Sequence, residues 1–112
     1  MVGPQNGSIV DIDFNLSGGL EIQKRKPAVI ISNEMLMKTS QFVWLVPISL
    51  DLNNDEDYPL HVSLDKRSKT SGTICTEQIK SFDYINSKWQ FIERLPQDLL
   101  EEVKQKARLI LQ

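Results

Sequence analysis

Val10-Asp11-Ile12-Asp13-Phe14 alternates apolar with polar residues, the pattern of a strand with one face on a core and the other in water. The paired Gly18-Gly19 tolerates a sharp bend and breaks the alternation, and a charged loop runs on to Lys26. Ala28 to Ile31 then reads as a core strand. Pro27, which has no N–H and biases Lys26 towards an extended conformation, keeps the charges outside it. Ser32 to Thr39 offers a capping residue ahead of one or two helical turns. Phe42 to Ser49, aromatic and β-branched, reads as a central strand with Pro47 at a bulge or an end. Leu50 to Pro59 is an acidic, Asn-rich loop, and Leu60 to Leu64 returns to strict alternation, which turns His61 away from its apolar neighbours and towards solvent. Thr73 to Phe82 reads as a further strand and Trp89 to Ile92 as a short pairing segment. Beyond Pro96, residues Leu99, Leu100, Val103, Ala107, Ile110 and Leu111 form one stripe at helical spacing. Asp98, Glu101 and Glu102 lie early in that helix and Lys104, Lys106 and Arg108 late, as the helix dipole favours. The pattern predicts one mainly β domain spanning residues 1–112, an antiparallel sheet closed by a C-terminal helix.

Composition narrows the chemistry. A chain of 112 residues can bury a core without covalent staples. One cysteine, Cys75, and one histidine, His61, leave no thiolate cluster and no second imidazole, so the expectation is chemistry without a metal or other cofactor. No apolar run reaches membrane-spanning length and Met1 to Asn6 lacks the features of a secretory signal, which makes the cytoplasm the expected location. The net charge of −2 does not mark a nucleic-acid binder as a whole. Local clusters are different. Lys24-Arg25-Lys26 and Lys66-Arg67-Ser68-Lys69 are basic knots, and the first sits a few residues after the lone carboxylate Glu21. Glu77 lies inside a strand-like run, where an ionised carboxylate must be at an exposed edge, paired, or functional.

In order along the chain, Asp13-Phe14, Gly19-x-Glu21, a charge before Pro27-Ala28-Val29, Val46-Pro47-x-Ser49, Tyr58-Pro59, Glu77-Gln78 and a terminal helix together resemble the MazF/PemK (Kid) toxins. The resemblance spans nearly the whole chain. It implies an SH3-like, CcdB-like antiparallel β-barrel with short helices and a C-terminal α-helix, assembled as a homodimer and partnered by a cognate antitoxin. It also implies a metal-independent endoribonuclease that cuts single-stranded mRNA by attack of the ribose 2′-hydroxyl on the adjacent phosphate, leaving a 2′,3′-cyclic phosphate and a 5′-hydroxyl.

That chemistry asks for a base to take the 2′-hydroxyl proton and for cations to steady charge on the phosphate. Glu21, Arg25, Lys26, Ser49 and Glu77 are the catalytic candidates, with Lys24, Arg25, Lys26 and Lys80 as RNA contacts. Ser49 stands where the family generally places a phosphate-holding Thr, and Glu77 matches the carboxylate proposed as base in PemK. Glu21, beside the cations on a loop, is expected to matter more than Glu77 within a strand. The chain departs from the family at Lys26, where an Arg normally precedes the Pro, and at Leu20 and Cys75, where PemK has a His and an Arg. Lysine is a point charge that cannot make a planar bidentate contact. Three classes therefore stay open: an active ribonuclease toxin, a degenerate homologue that only binds antitoxin or RNA, and a CcdB-like gyrase poison.

Overall fold

The structure, a computed structural model, describes residues 3–13, 25–50 and 58–112. Its elements follow in the order β1 (Ser8–Asp13), β2 (Arg25–Ile30), α1 (Glu34–Thr39), β3 (Phe42–Ser49), β4 (His61–Ser63), β5 (Thr73–Cys75), β6 (Lys80–Asp83), β7 (Trp89–Arg94) and α2 (Gln97–Leu111). Every strand pair is antiparallel, in the order β4-β5-β3-β2-β1-β7, with β6 added to β3. Among the described residues no ladder joins β4 to β7, so the expected barrel is an open, barrel-like sheet.

The three central strands are buried on both faces. Ile9, Val29, Val46 and Ile48 pack with Leu99, Leu100 and Val103 of α2, while Val10, Ile12, Ala28, Ile30, Val43 and Leu45 form a second cluster with Tyr84. Met37 of α1 and Trp89 of β7 lie against this second cluster. The wet face expected for β1 is therefore absent at Ile9 to Ile12 except at Asp11, and a register shift between Ile9 and Val10 against β7 lets both consecutive residues be buried. Full burial of a Val, Leu or Ile side chain is worth roughly 1.5–3 kcal/mol. The two clusters thus dominate the fold over any single polar contact. On α2 the buried stripe is Leu99, Leu100, Val103 and Ala107, whereas Ile110 and Leu111, expected in it, are exposed where the helix overhangs the sheet.

Three local outcomes differ from the sequence reading and each bears on the site. Arg25 and Lys26 are not in a loop: pairing with β1 (Asp13 opposite Arg25, Ile12 opposite Lys26) carries β2 back past Pro27, so both cations stand on a rigid strand. Pro47 lies inside β3 rather than at its end. The ladder with β6 stops at Leu45 and the ladder with β5 starts at Ile48, so the missing N–H falls where β3 changes partners. Glu77 is not in a strand: the 73–82 run divides into β5 and β6, and the Gln78 N–H donates to the Cys75 carbonyl at 3.0 Å across a turn that presents Glu77.

The segment between β4 and β5 is fastened by carboxylates. Arg67 donates to Asp65 at 2.8 Å and to Asp98 at the start of α2 at 2.9 Å, and Glu93 of β7 accepts from the Lys69 N–H, the Thr70 N–H and the Thr70 hydroxyl. Gly72 closes the segment at φ +129°, with its Cα so near the Ser49 carbonyl that a Cβ would stand 2.7 Å from that oxygen. Only glycine combines this backbone conformation with so close an approach.

Two expectations follow from these fastenings. The Arg67 guanidinium holds the Asp65 and Asp98 carboxyls below their ordinary value of 3.8. Burial raises the Glu93 carboxyl, but the Thr70 and Lys69 hydrogen bonds outweigh it and hold the group below 4.5. Carboxyl groups depressed in the folded state contribute stability that is fully present above their unfolded values and fades as pH falls through the folded ones. Urea midpoints should therefore be level from pH 6 to about 5 and drop below about pH 4.5. Glu93→Gln should lower the midpoint at pH 7 and flatten that acid drop; an unchanged acid drop counts against the Glu93 contribution. Gly72→Ala should destabilise the fold by about 1–3 kcal/mol, read by urea unfolding, and a change inside error would show that the Ser49 contact can relax.

Candidate functional site

A cleft of about 420 Å³ opens where β2 and β3 run out beside the β4–β5 pair. Its floor is Pro27, Pro47 and Ile48, two prolines and an apolar side chain that fix backbone rather than react. Arg25 and Lys26 line it from β2, Ser49 and Leu50 from the end of β3, His61 from β4, and Cys75, Glu77 and Gln78 from β5 and its turn. The β2–β3 ladder pairs Ala28 with Pro47. Two steps further out, Lys26 and Ser49 line the cleft from neighbouring strands, which is why residues 23 apart in sequence meet.

Four of the sequence candidates, Arg25, Lys26, Ser49 and Glu77, thus line one cleft. Lys80 does not: it opens β6 opposite Leu45 and is outside the cleft lining. Glu21 and Lys24, and with them the expected ranking of Glu21 above Glu77, lie outside the described residues. Arg25 reaches back across the ladder to Asp11, Nη1 to Oδ2 at 3.8 Å, so part of its charge is balanced from β1. At this separation and exposure such a pair contributes only about 0–1 kcal/mol, too little to tie the guanidinium down against a phosphate.

The histidine is the residue that the alternation pattern misplaced. His61 is not turned to solvent; its side chain is 17 % exposed, its ring lies 4.3 Å from that of Tyr58, and Nε2 stands 3.4 Å from Oε1 and 3.4 Å from Oε2 of Glu77. His61 pairs with Cys75 in the β4–β5 ladder, and the turn after Cys75 brings Glu77 back beside the ring. The available signal was the hairpin formed by two short strands, but its register depends on the intervening segment, which no local pattern encodes. Glu77 also accepts from the Gln78 side chain at 3.4 Å, while its Oε1 is buried with no hydrogen-bond donor among the described residues. These are long contacts, and an ionised carboxylate so placed retains unmet acceptor capacity.

Cys75 lies behind this pair. Burial, and then the charge of Glu77, push its thiol up from 9.0 against a smaller opposing effect of a Ser49 backbone hydrogen bond. It is therefore a neutral packing residue at neutral pH and not a nucleophile. A second cleft, about 440 Å³ between the end of α2 and Trp44, carries Glu34, Lys104 and Arg108 but none of the sequence candidates. The first cleft brings a carboxylate, cations and a hydroxyl together, and it is the candidate site.

The chain matches the family model for the PemK-like, MazF-like toxin of type II toxin-antitoxin systems over residues 5–111. No curated protein sequence matches it. Among solved structures it is similar to MazF from Deinococcus radiodurans, with TM-score 0.82 and 23 % identity over 99 % of this chain and 98 % of that one. It is also similar to a MazE–MazF complex from the same organism, with TM-score 0.86, 23 % identity and coverage of 99 % and 97 %. A third is an endoribonuclease in complex with its cognate antitoxin from a Mycobacterial species, with TM-score 0.77, 14 % identity and coverage of 96 % and 94 %. At such identities these structures establish the shared fold, and the family model, matched across almost the entire chain, establishes the kinship: the chain belongs to the PemK-like, MazF-like toxins of type II toxin–antitoxin systems.

Proposed function

We propose that the protein is an endoribonuclease that cleaves single-stranded RNA in the β2–β3–β5 cleft without a metal ion. The observation that carries the reading is the convergence of two cations, Arg25 and Lys26, with the carboxylate Glu77 and the hydroxyl of Ser49 on one open cleft. A 2′-hydroxyl attacking its own 3′-phosphate needs a proton acceptor near the hydroxyl and positive charge near the phosphate. Cations placed at the phosphate steady the charge that develops in the transition state, and a positioned base contributes about 10²–10⁴-fold. Glu77 is the base in this reading. The sequence ranks Glu21 above it for its place beside the cations on a loop, against a Glu77 held within a strand; Glu77 instead occupies a turn at the cleft that Arg25 and Lys26 also line.

The substitution that most affects rate is Lys26, because a lysine attracts phosphate without forking it. A weakened nuclease, or one retaining only RNA or antitoxin binding, is the second reading, and Lys26 is the observation that favours it. A gyrase poison gains no support from a cleft built of cations, a hydroxyl and a carboxylate. An mRNA substrate supports a cytoplasmic location. No described helix is long and apolar enough to cross a membrane. We also propose a homodimer that binds a cognate antitoxin. Phe42, Trp44, Leu109 and Leu111 supply exposed apolar surface for such contacts, and the Deinococcus and Mycobacterial relatives are seen with antitoxins.

Purified protein incubated with a long single-stranded RNA in excess EDTA should yield fragments ending in 2′,3′-cyclic phosphate and 5′-hydroxyl; intact RNA overturns the nuclease reading in favour of the binding one. Arg25→Ala with Lys26→Ala should cut cleavage at least 100-fold at an unchanged melting temperature, and Lys26→Arg should raise it. A double variant as active as wild type removes the cations from the mechanism. Light scattering at micromolar concentration should give twice the mass of one chain, and a monomer refutes the dimer.

A further inference from the structure

We propose that His61 and Glu77 act as one proton-transfer pair, Glu77 taking the proton of the attacking 2′-hydroxyl and His61 delivering a proton to the departing 5′-oxygen. The inference rests on the RNA-cleavage reading and assigns the acid that reading lacks. Cleavage through the 2′-hydroxyl breaks the bond from phosphorus to a 5′-alkoxide, a poor leaving group that needs a proton. The chain has a single histidine, the side chain whose ordinary charge change falls between pH 5 and 8. It stands at the cleft with Nε2 facing the base.

The contact has the features of a working pair more than those of a structural ion pair. Both Nε2–Oε separations are 3.4 Å, long for a bond formed to hold the fold. Catalytic hydrogen bonds are often long until substrate arrives. The side chains are 17 % and 26 % exposed, so both can reach a ligand in the cleft while being partly screened from water. Tyr58, tilted 52° against the imidazole at 4.3 Å, limits how far the ring can turn away from Glu77.

Among the described residues, the charged and titratable groups around the ring are Glu77 and Cys75 from the β5 side, Tyr58 ahead of β4, Arg25 and Lys26 across the cleft on β2, and Lys106 of α2, which donates to the neighbouring Pro59 carbonyl at 2.6 Å. Lys106 is paired with Glu102 at 3.4 Å. Of these groups, His61 and Glu77 are the imidazole and carboxylate that touch each other at the cleft.

The step balances. The 2′-oxygen bonds to phosphorus as its proton moves to Glu77, the bond from phosphorus to the 5′-oxygen breaks, and the Nε2 proton passes to that oxygen. The products are the 2′,3′-cyclic phosphate and the 5′-hydroxyl. Glu77 then returns its proton to His61 across their shared contact, restoring the charged pair.

A carboxylate that must be ionised makes the rate fall at low pH, and an imidazole that must be protonated makes it fall at high pH. Single-turnover cleavage by the wild-type protein should therefore give a bell-shaped profile on ordinary RNA. It should lose the high-pH fall on RNA whose scissile 5′-oxygen is replaced by sulfur, since a thiolate leaves without a proton. His61→Asn should lose about 100-fold or more on ordinary RNA and less than about 10-fold on the sulfur-bridged substrate, whereas Glu77→Gln should lose the same factor on both. Equal losses for His61→Asn on both substrates, or a high-pH fall that survives sulfur in the wild type, overturn the pair while RNA cleavage stands. The wild-type comparison decides the matter even if His61→Asn fails to fold. A wild-type protein that cuts neither substrate overturns the nuclease reading, and the pair with it.

Discussion

Burial of the central strands on both faces is the constraint on which the rest depends. With Ile9, Val29 and Val46 under α2, and Val10, Ala28, Ile30 and Leu45 against the other face, β1, β2 and β3 cannot slip by one residue without pushing a row of apolar side chains towards the wrong cluster. That register places the cations of β2 next to the end of β3. The site is a product of strand register before it is a product of chemistry.

From this frame the cleft forms where the sheet stops being doubly covered. β3 exchanges β6 for β5 around Pro47, and the short β4–β5 pair hangs off its end. The pair is narrow, so it draws order from polar fastenings, Arg67 between two aspartates and Glu93 across Lys69 and Thr70, and from the tight passage of Gly72 over Ser49. A cleft made this way is stiff on the β2–β3 side. On the other side it is held by hydrogen bonds and ion pairs of modest individual strength. The arrangement suits the proposed chemistry, in which cations keep fixed positions while His61 and Glu77 adjust to substrate.

Departures from family pattern acquire physical meaning in the same frame. Cys75 occupies a buried place behind Glu77, where its neutral thiol adds packing and no charge. Lys26 retains charge but not a planar fork, and Arg25, one residue earlier, looks back to Asp11. Both side chains line the cleft, from successive positions of β2, so a guanidinium at 25 enters it from a different place than one at 26 would.

The sequence by itself determined the element order as far as β4, the C-terminal helix, the strand from Phe42 to Ser49 and the charge cluster before Pro27, because these rest on local periodicity and on the covalent properties of proline. It also carried the family resemblance, since ordered short motifs survive when overall identity is low. It misplaced Arg25 and Lys26 in a loop, Glu77 in a strand and His61 in solvent, and in each case for one reason. Whether a residue continues a strand, turns, or faces a cleft is decided by the partner strand, and partners are separated by segments of unpatterned length. Asp13 opposite Arg25 extends β2, the bond from Gln78 to Cys75 turns the chain at Glu77, and Cys75 opposite His61 sets the imidazole beside the carboxylate. Those pairings exist only in the tertiary structure.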